Sequence, residues 1–314
     1  MTLKKKLNHL GEKREPFLFI ISYDLSQYEI IPLSELPSDI FFKVEKGNIV
    51  RNKHHIKLEK NPIEFEQYEQ KFQTIQENIK EGNTYLINLT APTKIKTTYT
   101  LKELYDNANA RFKLYFKDKF ITFSPERFCK IEKNTISTYP MKGTIDADIP
   151  NAKEVILADQ KELAEHTMVV DLLRNDLSIV AKKVRVDQFR YCEKIKAGEK
   201  ELLQVSSKIS GELDNNWQER IGDIITSLLP AGSITGAPKK KTVEILKEVE
   251  QYEREYFTGV FGLFDGDSLD SAVMIRFIQK QNNGDLLYKS GGGLTCDSDA
   301  KKEYEEMIQK VYLP

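Results

Sequence analysis

Two pairs of glutamates are spaced for shared chemistry. In the stretch ADQKELAEHTMVVDLLRND, residues 158–176, Glu162 and Glu165 stand three apart, and near the C-terminus Glu303 and Glu306 repeat that spacing with Lys310 one turn further on. Three apart on a helix is one face. A carboxylate pair on one helix is ordinarily a solvated face. Two such pairs on facing helices would bring up to four carboxylates together. Each like-charged contact at about 4 Å then costs about 4 kcal/mol at an effective dielectric constant of about 20. A hard dication relieves that repulsion, and an all-oxygen donor set with few donors per helix favours Mg²⁺ over zinc.

Other residues carry weaker signals singly. The segment 232–239, GSITGAPK, is a glycine-rich turn that places Pro238 at the first position of a helix, with Ser233 and Thr235 beside backbone N–H groups suited to an anion. It lacks P-loop spacing, and as a bare glycine turn before a helix it favours a structural role slightly over a ligand-binding one. Gly291, Gly292 and Gly293 follow a strand, and the run is easier to explain if backbone approaches a ligand closely, a bulge or a crowded sheet corner being the structural alternative. Arg276, at the end of the apolar run MIRF, can grip a carboxylate in a bidentate fashion or pair with a surface acid. Lys142 and Glu126 read by default as a solvated cation and a turn carboxylate, and His166 as a structural histidine. Four histidines without a Ser/His/Asp context give no support to a hydrolase triad.

The elements that must position these groups alternate between short strands and a few long helices. The first 60 residues form a short β-rich segment with strands expected over 17–23, 29–32 and 49–57. From residue 61 onward the pattern changes. A helix is expected over 64–79, its stripe made by Phe65, Tyr68, Phe72, Ile75 and Ile79, then a strand over 85–90 and a helix over 101–112. Strands over 119–123, 128–131 and 135–139 come next, then the acidic helix, with Leu163, Val169, Leu172 and Leu173 as its apolar stripe. Strands over 183–189 and 202–209, helices over 217–229 and 240–252, and strands over 258–264, 270–279 and 285–290 complete the chain. Hairpins without βαβ alternation indicate an α+β fold, a single large domain of largely antiparallel sheets packed together with helices outside.

Composition narrows the function classes. A net charge of −1 in 314 residues, with acid and base interleaved, argues against nucleic-acid or membrane-surface binding. The early apolar run over 17–21 is too short to span a bilayer. Three widely separated cysteines make neither a disulfide framework nor a zinc motif, so a cytoplasmic protein is expected.

In order along the chain, SPERF (124–128), TYPMKGT (138–144), ELAEHTMVVDLLRNDL (162–177), GSITGAPK (232–239), MIRF (274–277) and SGGGLTCDSDAKKEYEE (290–306) resemble the chorismate-utilising enzymes. That family comprises the first components of anthranilate synthase and aminodeoxychorismate synthase together with the isochorismate and salicylate synthases. The resemblance covers residues 61–314, a chorismate-binding catalytic core with the anthranilate synthase component I-like fold. Within it, lysine in PMKGT resembles the aminodeoxychorismate branch, where anthranilate synthases carry alanine. Leu86 stands where the isochorismate and salicylate synthases carry a water-activating lysine.

The resemblance implies a chemistry. Mg²⁺ held by Glu165 and Glu306, with Glu162 and Glu303 in support, neutralises the ring carboxylate of chorismate. Thr235, Arg276, Lys310 and the backbone of Gly291, Gly292 and Gly293 bind the substrate. Lys142, its pKa lowered by desolvation, attacks C2 while Glu126 protonates the departing C4 hydroxyl. Ammonia from a separate glutamine amidotransferase subunit then gives 4-amino-4-deoxychorismate, the para-aminobenzoate and folate precursor. Leu86 and Leu203 replace glutamine and histidine common in relatives, and the short N-terminal region leaves little from which to build a tryptophan pocket. The alternatives are an anthranilate synthase first component, whose direct addition of ammonia at C2 Lys142 would obstruct, and a non-catalytic subunit that keeps the fold.

Overall fold

The run Phe17–Ile21 is buried at every position, which a strand achieves only if both of its faces are covered. This computed structural model, which describes residues 1–45, 56, 58–197 and 200–314, shows what covers them. Leu18 and Ile20 face a second sheet through Phe112, Leu114, Phe120 and Phe277. Phe17, Phe19 and Ile21 face helices through Leu7, Val169, Leu173 and Ile225. Two antiparallel sheets are packed together with helices outside. Fully burying an aliphatic or aromatic side chain of this kind contributes about 1.5–3 kcal/mol.

Among the described residues the first sheet has nine strands. It runs from Met141–Asp146 through Lys200–Glu212, Thr135–Thr138, Arg127–Glu132, Leu269–Val273, Val260–Phe264 and Phe17–Ile21 to Tyr28–Pro32, with Lys182–Ala197 also paired to Lys200–Glu212. The second has eight, in the order Gly236–Ala237, Leu86–Lys96, Leu286–Leu294, Phe277–Lys280, Phe120–Ser124, Phe112–Phe116 and Ile40–Val44, with Glu59–Asn61 on Leu86–Lys96. Helices Phe65–Lys80, Lys239–Glu250 and Ala300–Gln309 cover the outer face of the second sheet through Tyr68, Phe72, Ile75, Leu246 and Met307. No described helix is long and apolar enough to cross a membrane.

Two stretches of chain leave one sheet and enter the other. Phe120–Ser124 belongs to the second sheet and Arg127–Glu132 to the first, so Pro125 and Glu126 make the crossing. The strand expected over 270–279 is likewise two strands, Leu269–Val273 in the first sheet and Phe277–Lys280 in the second. Arg276 takes the turn between them at φ 53°. The crossings are tied to each other: Val273 N donates to Glu126 O at 3.1 Å, and Phe123 N donates to Arg276 O at 3.2 Å.

Other expectations change in detail. The first 60 residues are not purely β-rich; they open on a helix, Leu3–Glu12, whose Leu3, Leu7 and Leu10 recur at helical period and are buried. The strand Ile40–Val44 was not expected, and the strand expected over 49–57 lies outside the described residues, Ile56 apart. The helix expected over 101–112 stops at Asn107, because Phe112–Phe116 pairs with Ile40–Val44 and Phe120–Ser124. Lys239, not Pro238, is the first helical residue after the glycine-rich turn. Of the stripe on the acidic helix, now Gln160–Ser178, Val169 and Leu173 are buried and Leu163 and Leu172 half-buried.

The N-terminal helix docks on Ile221–Leu228 at one close approach. A Cβ on Gly222 would lie 2.2 Å from Lys4 O, and Gly222 N donates to Asn8 Oδ1 at 2.7 Å. Gly222→Ala forces the two backbones apart; overpacking of about 2 kcal/mol should lower Tm by about 5 °C in a thermal melt. An unchanged Tm would mean that the helices do not meet there.

Candidate active site

A cavity of about 190 Å³ opens beside the two sheet crossings. Glu126 and Arg276 line it from the crossings, Lys142 from the strand Met141–Asp146, Gly291, Gly292 and Gly293 from the strand Leu286–Leu294, and Lys310 from the end of the C-terminal helix. Leu86 contributes an apolar wall. Ser233 lines the cavity where Thr235 was expected. The Thr235 hydroxyl turns inward and donates to Ala231 O at 2.8 Å, while Ser233 Oγ donates to Glu126 Oε1.

Lys142 is the centre of charge. Its Nζ pairs with Glu165 Oε2 at 2.8 Å, and Glu306 and Glu162 also act on it. Burial by itself pushes the ammonium toward neutrality, but these carboxylates outweigh burial and hold the pKa above the ordinary lysine value. The lowered pKa expected from desolvation is therefore not found, because a cation buried among anions keeps its proton. A second cation completes the cluster: Lys310 Nζ stands 2.6 Å from Glu306 Oε1 and donates to Gly291 O at 2.9 Å.

All four glutamates lie within electrostatic reach of Lys142. Burial, reinforced by Glu165, raises the Glu162 pKa, and burial with Glu306 raises that of Glu303, whereas Lys310 and Lys142 together overcome burial at Glu306 and lower it. Glu162 Oε2 is buried without a hydrogen-bond partner. Ser298 Oγ donates to Glu303 Oε1 at 3.0 Å. Among the described residues no three carboxylate, imidazole or thiol groups are drawn together as a ready-made ligand set. Glu126 has its pKa raised by burial, with Ser233 and Lys310 opposing, which favours a carboxyl able to give up a proton to a neighbour.

His166 was read as structural, and the structure shows what it holds. Burial drives its pKa down to about 4, so the ring is neutral. A carbonyl can only accept, so Nδ1–H donates to Lys142 O at 3.4 Å and Nε2 accepts from Ser207 Oγ at 2.7 Å. Ser207 Oγ in turn accepts from Arg190 N at 2.9 Å. The imidazole thus fixes the backbone of the lysine without touching its amine. Arg276 Nη1 donates to Lys310 O at 2.9 Å, and its guanidinium lies 4.8 Å from the Tyr312 ring centre. Lys289, which the sequence reading passed over, also lines the cavity. The signal for it was its place two residues before the glycine run.

The whole arrangement can be compared with known proteins. A family model described as chorismate binding enzyme matches residues 9–313. The chain belongs to the chorismate-binding enzyme family. It is 48% identical to an uncharacterized PabA-like protein of Pasteurella multocida, the match covering 99% of this chain and 97% of that one. It is 33% identical to aminodeoxychorismate synthase component 1 of Escherichia coli over 78% of this chain and 56% of that protein. The crystal structure of anthranilate synthase component I from Streptococcus pneumoniae superposes with a TM-score of 0.70 at 25% identity, covering 82% of this chain and 59% of that one.

The glycine run separates structural from cavity-facing roles. A Cβ on Gly291 would lie 2.2 Å from Leu89 O, in backbone, whereas one on Gly292 would lie 3.4 Å from Glu303 Oε2 and 3.5 Å from Lys310 Nζ, in the cavity. In thermal melts Gly291→Ala should lower Tm by several degrees and Gly292→Ala by no more than about 1 °C. The reverse order would mean that the cavity wall is misassigned.

Proposed function

We propose that this chain is the chorismate-aminating first component of an aminodeoxychorismate synthase, making 4-amino-4-deoxychorismate from chorismate and ammonia. The observation that carries the reading is the place of Lys142. A primary amine projects into the cavity of a chorismate-binding enzyme, paired with Glu165 at 2.8 Å, and Glu126 lines the same space.

The four-glutamate cluster fits a divalent cation in its donor chemistry: every donor is a carboxylate oxygen, and Glu162 Oε2 is buried without a partner. Glu165 and Glu306 would hold Mg²⁺, with Glu162 and Glu303 in support. The ion supplies charge stabilisation and orientation for a substrate carboxylate when bound. The rest is work for the protein's own groups. Lys142 must first give up its ammonium proton to water, against the hold of Glu165, and its free amine then adds at C2 of the ring. Glu126, protonated, gives its proton to the C4 hydroxyl, which departs as water. Ammonia then adds at C4, the bond between Lys142 and C2 breaks, and the lysine leaves as an amine. Ser233 orients Glu126, and His166 holds the Lys142 backbone in register with both. The Leu86 wall keeps a competing water from being activated on that side. Ammonia would come from a glutamine amidotransferase subunit.

Purified protein with chorismate, Mg²⁺ and ammonium should accumulate 4-amino-4-deoxychorismate, resolved by chromatography, and Lys142→Ala should lose at least about 100-fold in rate. Anthranilate from the parent instead would assign the anthranilate synthase reaction. Chelation with EDTA should abolish turnover, with Mg²⁺ restoring it. Turnover that survives chelation would remove the ion from the reading.

A further inference from the structure

The cavity holds a cation that the proposed chemistry does not use. Lys289 lies in the strand Leu286–Leu294, directly opposite Phe277, the residue after Arg276. Its side chain is 3% exposed yet lines the cavity with Phe257, Thr258 and Arg276. The ammonium donates to Arg254 O at 3.1 Å and Glu253 O at 3.2 Å. The nearest carboxylate oxygen, Glu255 Oε2, stands at 3.9 Å, beyond hydrogen-bonding distance. Two of three N–H bonds are thus satisfied, and among the described residues no third acceptor is in reach. The rings of Tyr252 and Phe277 lie 5.5 and 6.0 Å away. Glu255 is thus paired with the ammonium only at 3.9 Å, and the remaining N–H gains from an anion at hydrogen-bonding distance.

Position along the strand says which anion. Gly292, beside Glu303 and Lys310, is three residues from Lys289, about 10 Å at the strand rise. One end of the cavity is therefore crowded with glutamates, while the other presents Lys289 and Arg276. A dianion with its two carboxylates apart is matched to those ends when a dication sits on the glutamates. Burial also draws the Lys289 pKa down to about 8, against the opposing pull of Glu255, Glu250 and Glu253, so the amine still carries its charge at neutral pH.

We propose that Lys289 is a specificity-determining residue whose ammonium anchors the enolpyruvyl carboxylate of chorismate beside Arg276, leaving the ring carboxylate to the glutamate end. The assignment rests on the chorismate reading given above.

The test compares parent, Lys289→Gln and Lys289→Arg. Glutamine can keep a backbone-carbonyl tie without the charge; arginine keeps the charge. Calorimetric titration with chorismate and with its enolpyruvyl-carboxylate methyl ester is set beside KM and kcat. The glutamine variant should weaken chorismate binding and raise KM at least 10-fold with kcat within threefold, while binding the ester as the parent does. The arginine variant should recover most of the affinity. Equal affinity of parent and glutamine variant for chorismate overturns the assignment and leaves the functional reading standing, as does an equal loss for acid and ester, the signature of a merely structural lysine. A parent that binds no chorismate overturns both. Should the glutamine variant not fold, the arginine variant and the parent's own preference for acid over ester decide: less than threefold preference overturns the anchor.

Discussion

Two backbone hydrogen bonds hold the two sheet crossings side by side, from Val273 N to Glu126 O and from Phe123 N to Arg276 O. A strand that leaves its sheet interrupts its ladder, and the freed N–H and C=O groups must find partners or carry a desolvation cost. Here each crossing satisfies the other. The consequence is geometric: the residues at the turns, Glu126 and Arg276, cannot move independently of one another or of either sheet. An acid and a cation on connecting segments are therefore placed with the rigidity of core strands.

Electrostatics builds on that frame. Six charged side chains, Lys142, Lys310 and the four glutamates, act on one another beside the cavity, where partial burial favours their neutral forms. Mutual pairing opposes this. Lys142 and Glu306 keep their charges because each faces an opposite charge, while burial, reinforced by a neighbouring glutamate, raises the pKa of Glu162 and Glu303. The cluster is thus divided between paired groups and groups that still lack a counter-charge. Such division is poor economy for stability alone, and it is what a site that handles a charged ligand requires.

The neutral His166 belongs to the same logic. Its burial costs the imidazole its charge, and the two hydrogen bonds it makes require the neutral tautomer with the proton on Nδ1. An imidazolium at that position would add a positive charge beside Lys142. A neutral one fixes the lysine backbone without competing for the carboxylates.

Much of this was legible in the chain. Period 3.6 in 64–79 and 158–176 identified the helices, the spacing of Glu162, Glu165, Glu303 and Glu306 identified the acidic faces, and the ordered motifs pointed to the family. These are local properties, written in the residues themselves. What only the tertiary structure decided depends on partners distant in sequence. Whether 270–279 is one strand or two is settled by which sheet pairs with each half. Whether Ser233 or Thr235 faces the cavity depends on which hydroxyl finds a carbonyl within its own turn. The protonation of Lys142 runs opposite to the desolvation argument, because its pKa is a sum over carboxylates brought in from two helices. Lys289 gave only a faint sign, its place two residues before the glycine run. A lysine in a strand is ordinary, and only the fold buries its ammonium inside a cavity with one hydrogen bond unspent.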